Sequence, residues 1–237
     1  MGRRRTKGET MTPIDYIDAA RVPKTLKPQE FGLWKIERIR AGGQKLSPTE
    51  MAMHQIMVGY PDYTLLRRVT MASIHMGGEI VMEDGIVELS KHLPIWIAAR
   101  GLVLITGLGL GCVVRGLLVN PRVDHVTVIE IDQGIIDAVG PEFDGNPRVT
   151  IYQDDALKWD AGDRRFDFAW HDLWCEGEGL HLMHAELFIR HRKNVGQQGA
   201  WAFPRDFAKL YGRKQFPLLG APKQPRNLVR EKATSEL

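Results

Sequence analysis

Cysteine is scarce in this sequence: Cys112 and Cys175 are its only two. One falls in a predicted helix and the other in a predicted loop, which suggests no disulfide framework and makes a reducing cytosol the expected compartment. Long apolar runs are also lacking. The longest uncharged stretch, Gly101 to Val114, is glycine-rich, bracketed by Arg100 and Arg115, and too short to span a bilayer, so no membrane role is expected. The start, MGRRRTKGE, is basic but no apolar segment follows it, so no secretory signal is read there. Neither charge sign dominates. A formal net charge of +3 is too small to imply a nucleic-acid binder from the whole chain. No solenoid-like repeat is present. With 43% hydrophobic and 26% charged residues, the sequence reads as a globular α/β domain with appended segments.

Against these absences one region is dense with information. VLITGLGLG at Val103 to Gly111, followed by VTVIEID at Val126 to Asp132, reads as strand, glycine turn, helix, strand and terminal acid. Val103, Leu104 and Ile105 form the short apolar run of a strand buried on both faces of a parallel sheet. Gly107, Gly109 and Gly111 let the backbone turn tightly and approach a ligand without Cβ interference. The apolar helix Cys112 to Val119 brings the chain back, and Glu130 ends the next strand, where it is placed to accept hydrogen bonds from two ribose hydroxyls. A dinucleotide fingerprint would continue as GxGxxG, but Cys112 stands where the third glycine belongs. S-adenosylmethionine has no phosphate to seat on a helix N-terminus and needs only close backbone approach for its methionine half. GxGxG with a downstream acid therefore favours S-adenosylmethionine over a nicotinamide cofactor.

Further along, Arg148 to Tyr152 reads as a third strand ending at Asp154, Asp155 and Ala156, and FDFAWHDLW at Phe166 to Trp174 as a fourth strand entering a polar, aromatic loop. From Gly107 to Trp174 the chain resembles the class I S-adenosylmethionine-dependent methyltransferase superfamily. The resemblance implies a Rossmann-like, doubly wound, mostly parallel sheet. It places Gly107, Gly109 and Gly111 against the methionine portion of the cofactor, Glu130 on the ribose, and Asp155, with Ala156 beside it, on the adenine. MEDGIVELSKHLP before the glycine turn and RFDFAWHD after it also resemble the spermidine-synthase branch. A group of small bacterial and phage methyltransferase-like proteins with GLGLG and WHDxW segments is similar too, and brings no substrate with it. Two positions depart from the aminopropyltransferase pattern: Leu110 and Cys175 stand where that branch usually has Asp. A cationic polyamine would lose anionic partners there. The expected activity is methyl transfer to an unidentified acceptor, with aminopropyl transfer or a non-catalytic S-adenosylmethionine-binding accessory role as alternatives.

Four segments organise the chain: a basic leader over 1–12, an N-terminal arm, helix and hairpin extension over 13–100, the cofactor-binding core over 101–204, and a basic tail over 205–237. Met11 is an alternative start. Little periodicity is visible between Pro13 and Gly43, although Phe31, Leu33, Trp34 and Ile36 are placed to pack an arm onto the core. Thr49 to Val58 reads as a helix, Tyr63 to Met71 and Glu79 to Met82 as strands around the Gly77-Gly78 turn, and Ile86 to Ala99 as one helix. After a helix from Leu180 to His191, a fifth strand is expected at Ala200 to Phe203. The antiparallel strands that normally complete a class I sheet are not found, and a truncated sheet favours a homodimer that covers its edge.

Asp172 follows the fourth strand at the carboxyl end of the sheet, where an acid orients or deprotonates a substrate nucleophile, or instead caps the next turn. His171 is the neighbouring candidate; by strand alternation one of the two faces the cofactor and the other faces away. Trp174 is a candidate to stack on a planar substrate or to pack as a wall. His171, Cys175, His181, His184 and His191 match no standard zinc spacing, and no metal is expected. The methionines between Met51 and Met82 read as packing material. From Arg205 onward eight basic residues face three acidic ones, a tail suited to phosphates or simply solvated. No NPPY-type motif marks an amino-methylating nucleic-acid enzyme, so nucleic acid is not the favoured partner.

Overall fold

The computed structural model describes residues 11–38, 62–67, 79–173 and 180–201. The helix expected over Thr49 to Val58, the Gly77-Gly78 turn, Trp174, Cys175 and the basic tail lie outside the described residues. In chain order the elements are α1 (Pro13–Ala20), β1 (Gln29–Phe31), β2 (Trp34–Arg38), β3 (Tyr63–Arg67), β4 (Glu79–Glu83), α2 (Ile86–Ser90), α3 (Leu93–Ala98), β5 (Gly101–Thr106), α4 (Cys112–Leu118), β6 (Val123–Glu130), α5 (Gln133–Val139), β7 (Val149–Gln153), β8 (Phe166–His171), α6 (Leu180–His191) and β9 (Val195–Ala200).

Five strands form a wholly parallel sheet in the order β7-β6-β5-β8-β9. Parallel neighbours need crossovers, and these bury both faces. Along β5, Val103 and Ile105 enter one core with Val126, Val128, Phe168 and Trp170, whereas Leu104 enters the opposite core with Ile129, Ala169 and Leu187. The unbroken apolar run is the trace of that double burial. From β5 the chain moves outward through β6 to β7, then returns to place β8 on the other side of β5. The strand order therefore reverses between β5 and β8, and the crevice beyond their carboxyl ends is where open α/β sheets bind ligands.

β1 to β4 form a second, antiparallel sheet in sequential order. Its buried Ile36, Tyr63, Leu65 and Met82 join the same core as α1, α3 and α4. Buried Asp84 fastens it: its carboxylate accepts amides of Val22 at 3.1 Å, Asp62 at 2.6 Å and Tyr63 at 2.8 Å. Of the apolar residues read as packing the arm, Ile36 is buried and Phe31 and Trp34 pack on the core, but Leu33 is exposed at the β1–β2 turn.

Three expectations need correction. The stretch after Pro13 is regular: α1 starts at a capping box, with the Asp15 amide donating to Thr12 Oγ1 and the Thr12 amide to Asp15 Oδ2, and with Pro13 in its first turn. Eight residues give only two turns, too few for its Tyr16, Ile17 and Ala20 face to show as periodicity. Ile86 to Ala99 is two helices rather than one, because the Pro94 ring is incompatible with a helix continuing from Ser90. The fifth strand is Val195–Ala200, upstream of the expected Ala200 to Phe203. Its Gly196, Gln197, Gln198 and Gly199 hide an edge strand whose pairing with β8 is set by backbone. Among the described residues the parallel sheet ends at β9, and no helix there is long and apolar enough to cross a membrane.

Candidate functional site

The carboxyl rim of the parallel sheet is set by backbone ladders running just past the strands. The Gly107 amide donates to Ile129 O at 2.8 Å, the Asp172 amide to Thr106 O at 2.8 Å, and the Asp154 amide to Glu130 O at 3.0 Å. Gly107, Glu130, Asp154 and Asp172 are thereby brought to one rim although they span 66 positions of sequence. Gly107 has φ +92°, and a Cβ there would lie 2.1 Å from the Asp172 carbonyl oxygen, so only glycine fits. Gly109 has φ +50°, and a Cβ there would meet Met82 Sδ at 2.8 Å. Both glycines keep exposed surface while Leu108, Leu110 and Gly111 are buried, so the turn presents bare backbone outward and side chains to the core.

Glu130 is 5% exposed. Its Oε2 accepts the Leu108 amide at 2.7 Å and its Oε1 the Asp132 amide at 2.9 Å. Burial raises the carboxyl's affinity for its proton, and the donating amides of Leu108 and Asp132 oppose that shift. The Ile131 amide also favours the charged form, and a carboxylate's roughly four lone-pair directions leave room for a further donor. Asp132 is committed elsewhere: Oδ1 caps α5 through Gly134 at 2.8 Å and Ile135 at 3.2 Å, and Oδ2 accepts Trp34 Nε1 at 2.6 Å. The N-terminal sheet thus reaches this rim twice, through Trp34 on Asp132 and through Met82 Sδ, which lies 3.3 Å from the Leu110 amide.

Asp155 follows β7 at half-buried position. Its Oδ1 accepts the Leu157 amide at 3.0 Å, and its Oδ2 pairs with Lys158 Nζ at 2.8 Å, the lysine holding its pKa down. Lys158 is 81% exposed, so that pair is screened by water and easily exchanged for another partner. Ala156 beside it is buried against Trp159 and Ala161 in the core under β5 and β6.

β8 alternation separates His171 from Asp172. His171 is buried in the core with both ring nitrogens held: Nδ1 lies 3.1 Å from Thr106 Oγ1 and Nε2 3.0 Å from Gln198 Oε1. An amide oxygen can only accept, so Nε2 carries the proton and Nδ1 accepts from the threonine hydroxyl. Burial pushes the imidazole down to about 3, which keeps it neutral. With its lone pair already used by Thr106, this ring sits away from the rim as part of the scaffold, not beside Asp172 as a base.

Asp172 keeps 18% of its side chain exposed at the rim. Burial first, then the Glu88 carboxylate, push its carboxyl up to about 8, with Lys91 opposing and Glu130 adding to the rise. His92 lies on its inner side. That ring is fully buried at the break between α2 and α3, its Nδ1 accepts Trp170 Nε1–H at 3.2 Å, and its Nε2 is 3.9 Å from Asp172 Oδ2. Lys91 Nζ lies 2.7 Å from Glu88 Oε2 and 4.7 Å above the Trp201 ring.

His92 and Met82 were not singled out by sequence reasoning as site residues. Both lie inside MEDGIVELSKHLP, but a lone histidine before Leu-Pro and a methionine on a strand carry no motif, and only the packing of the N-terminal segments onto the rim brings them there. Trp174 lies outside the described residues. Among the described residues no group of three or more His, Cys, Asp or Glu side chains is placed to hold a metal ion.

No family model matches the chain. Over 131 residues it is 27% identical to a spermidine synthase of Dictyostelium discoideum, a stretch covering 46% of this chain and 43% of that protein. The chain thus spans less than half the length of that curated relative. Similar solved structures include a putative RNA methyltransferase from Pyrococcus horikoshii, at 18% identity over 54% of this chain and 64% of that one with TM-score 0.40. Another is the N-methyltransferase NodS from Bradyrhizobium japonicum, at 14% identity over 56% and 77% with TM-score 0.39. The fold itself is Rossmann-like, an open parallel sheet in the order β7-β6-β5-β8-β9. Strand order, parallel registers and the glycine turn after β5 carry that assignment.

Proposed function

We propose that this protein is an S-adenosylmethionine-dependent methyltransferase whose acceptor gives up a proton to Asp172. The observation that carries the reading is the pairing of a bare glycine turn with a buried acid at the switch point: Gly107 and Gly109 exclude side chains, and Glu130 holds that turn while keeping acceptor capacity. These features fit the cofactor. Gly107 and Gly109 would lie against its methionine portion, Glu130 would take the ribose hydroxyls, and Asp155 with Ala156 would border the adenine. When bound, the cofactor supplies an activated sulfonium methyl group. The protein's own contribution is proximity, alignment and exclusion of water, together with a base for an acceptor that must lose a proton.

Asp172 suits that role because an acid held near neutrality takes up a proton readily without being permanently charged. The aminopropyl-transfer reading draws less support: Leu110 is fully buried and supplies no charge for a polyamine. Incubating cell extracts with the protein and isotopically labelled S-adenosylmethionine, followed by mass analysis, tests the reading. Label transferred as a methyl group to one class of acceptor supports it; transfer of an aminopropyl group, or of nothing while the cofactor binds, replaces it with one of the alternatives.

A further inference from the structure

His92 is a buried imidazole with one nitrogen spoken for and one left over. Trp170 Nε1 can only donate, so the 3.2 Å contact makes His92 Nδ1 an acceptor and puts the ring proton on Nε2. Among the described residues that Nε2 has no hydrogen-bond partner, and it is buried, a costly state for a donor. Among the described residues its ion-pair neighbour is Asp172 Oδ2 at 3.9 Å, just beyond hydrogen-bond distance. The ring is fixed on its other sides by Trp96, with ring centres 5.6 Å apart, and by Trp170 in an edge-on contact at 6.0 Å. The aspartate, by contrast, keeps 18% of its side chain exposed at the rim.

We infer that His92 is a positioning residue: fixed as its Nε2–H tautomer by Trp170, it holds Oδ2 of the Asp172 carboxylate by a hydrogen bond and leaves the other oxygen for the acceptor's proton. This deepens the proposed base role of Asp172 and rests on that reading. Burial keeps His92 neutral, down to about 3, so it contributes a dipolar N–H and no charge. The other groups facing Asp172 are Glu88 and Lys91 from α2 and its end, Glu130 from the end of β6, and the Cys112 thiol of α4, which burial raises to about 12 and so keeps neutral. Glu88 and Glu130 oppose ionisation of Asp172 and Lys91 favours it. A donated N–H also favours the ionised carboxylate.

The test is a carbon-detected NMR titration of the Asp172 carboxyl in the full chain, its resonance assigned by its loss in Asp172→Asn. His92→Phe removes the donor and is expected to raise the midpoint by about one pH unit. His92→Gln, which places an N–H at similar reach, is expected to return it toward the parent value. Trp170→Phe leaves His92 in place but frees its tautomer, and is expected to raise the midpoint by a smaller amount; it decides the matter if His92→Phe does not fold. An unchanged midpoint in the folded variants overturns the inference. S-adenosylhomocysteine calorimetry on the same samples keeps the two ideas apart: absence of binding in the parent chain would sink the methyltransferase reading and leave the His92–Asp172 titration to stand or fall alone.

Discussion

Glu130 Oε2 accepts the Leu108 amide at 2.7 Å, so the acid that ends β6 pins the glycine turn that follows β5. One carboxylate thereby serves two ends: it shapes the backbone that would face the cofactor, and it offers the acceptors that would meet the ribose. The double role gives it two signatures. Glu130→Ala is expected to weaken S-adenosylhomocysteine binding by about 1.5–3 kcal/mol and to lower the thermal midpoint, since the buried Leu108 amide and the part-buried Asp132 amide lose their acceptor. Calorimetry and thermal unfolding of the same sample measure both. A lowered midpoint with unaltered affinity would make Glu130 scaffold alone.

Glycine at 107 is required by space as well as by torsion. Gly107→Ala drives a Cβ into the Asp172 carbonyl, a backbone atom with nowhere to go, whereas Gly145→Ala, at φ +74°, meets nothing within 4 Å among the described residues. The second change should cost only the left-handed strain of about 1–2 kcal/mol. Gly107→Ala should cost clearly more and abolish cofactor binding. Equal denaturation midpoints for the two would mean that the β5 and β8 rims are not joined as described.

His171 gives a pH signature through its burial. Its folded pKa, about 3, lies below the ordinary histidine value of 6.5, so between those limits the unfolded chain binds the extra proton and stability falls as pH falls. His171→Phe removes that linkage while leaving Thr106 and Gln198 short of a partner. The variant is less stable at pH 7, and the gap to the parent should narrow by about 1.4 kcal/mol per pH unit on going from 6 to 4. Urea melts across that range measure it. A constant gap would show that the imidazole titrates normally in the folded chain.

Asp172 carries the opposite sign. Its folded pKa is raised to about 8, so the folded chain retains a proton that the unfolded chain has lost, and stability declines as pH rises from about 4 through 8. Asp172→Asn cancels that decline, so its stability relative to the parent should improve from pH 5 to pH 9. As a base the residue must be ionised, and methyl transfer should rise with pH to a plateau above about 8. Asp172→Asn should reduce turnover by roughly 10²–10⁴ with cofactor affinity changed by less than about tenfold. Unchanged turnover would leave alignment alone as the mechanism.

The core was legible because its signals are local. Val103 to Ile105 needed no partner to read as a doubly buried strand, the GxGxG spacing announced a turn that only glycine permits, and the places of Glu130 and Asp172 at strand ends followed from the same local pattern. Strand alternation also separated His171 from Asp172 in advance, without saying which faced the rim; Thr106 and Gln198, distant in sequence, decide that. What stayed hidden depends on tertiary contact. Val195–Ala200 carries almost no apolar pattern because the backbone of β8 sets its pairing. Met82 and His92 gain meaning only when the N-terminal sheet and the α2–α3 break pack over the rim.

Calorimetry of the full chain with S-adenosylhomocysteine and, separately, with NADH tests the central claim most directly. Saturable binding of S-adenosylhomocysteine with Kd in the micromolar range or tighter, about −8 kcal/mol, and none of NADH is the predicted result. Saturable NADH binding with no response to S-adenosylhomocysteine would contradict it.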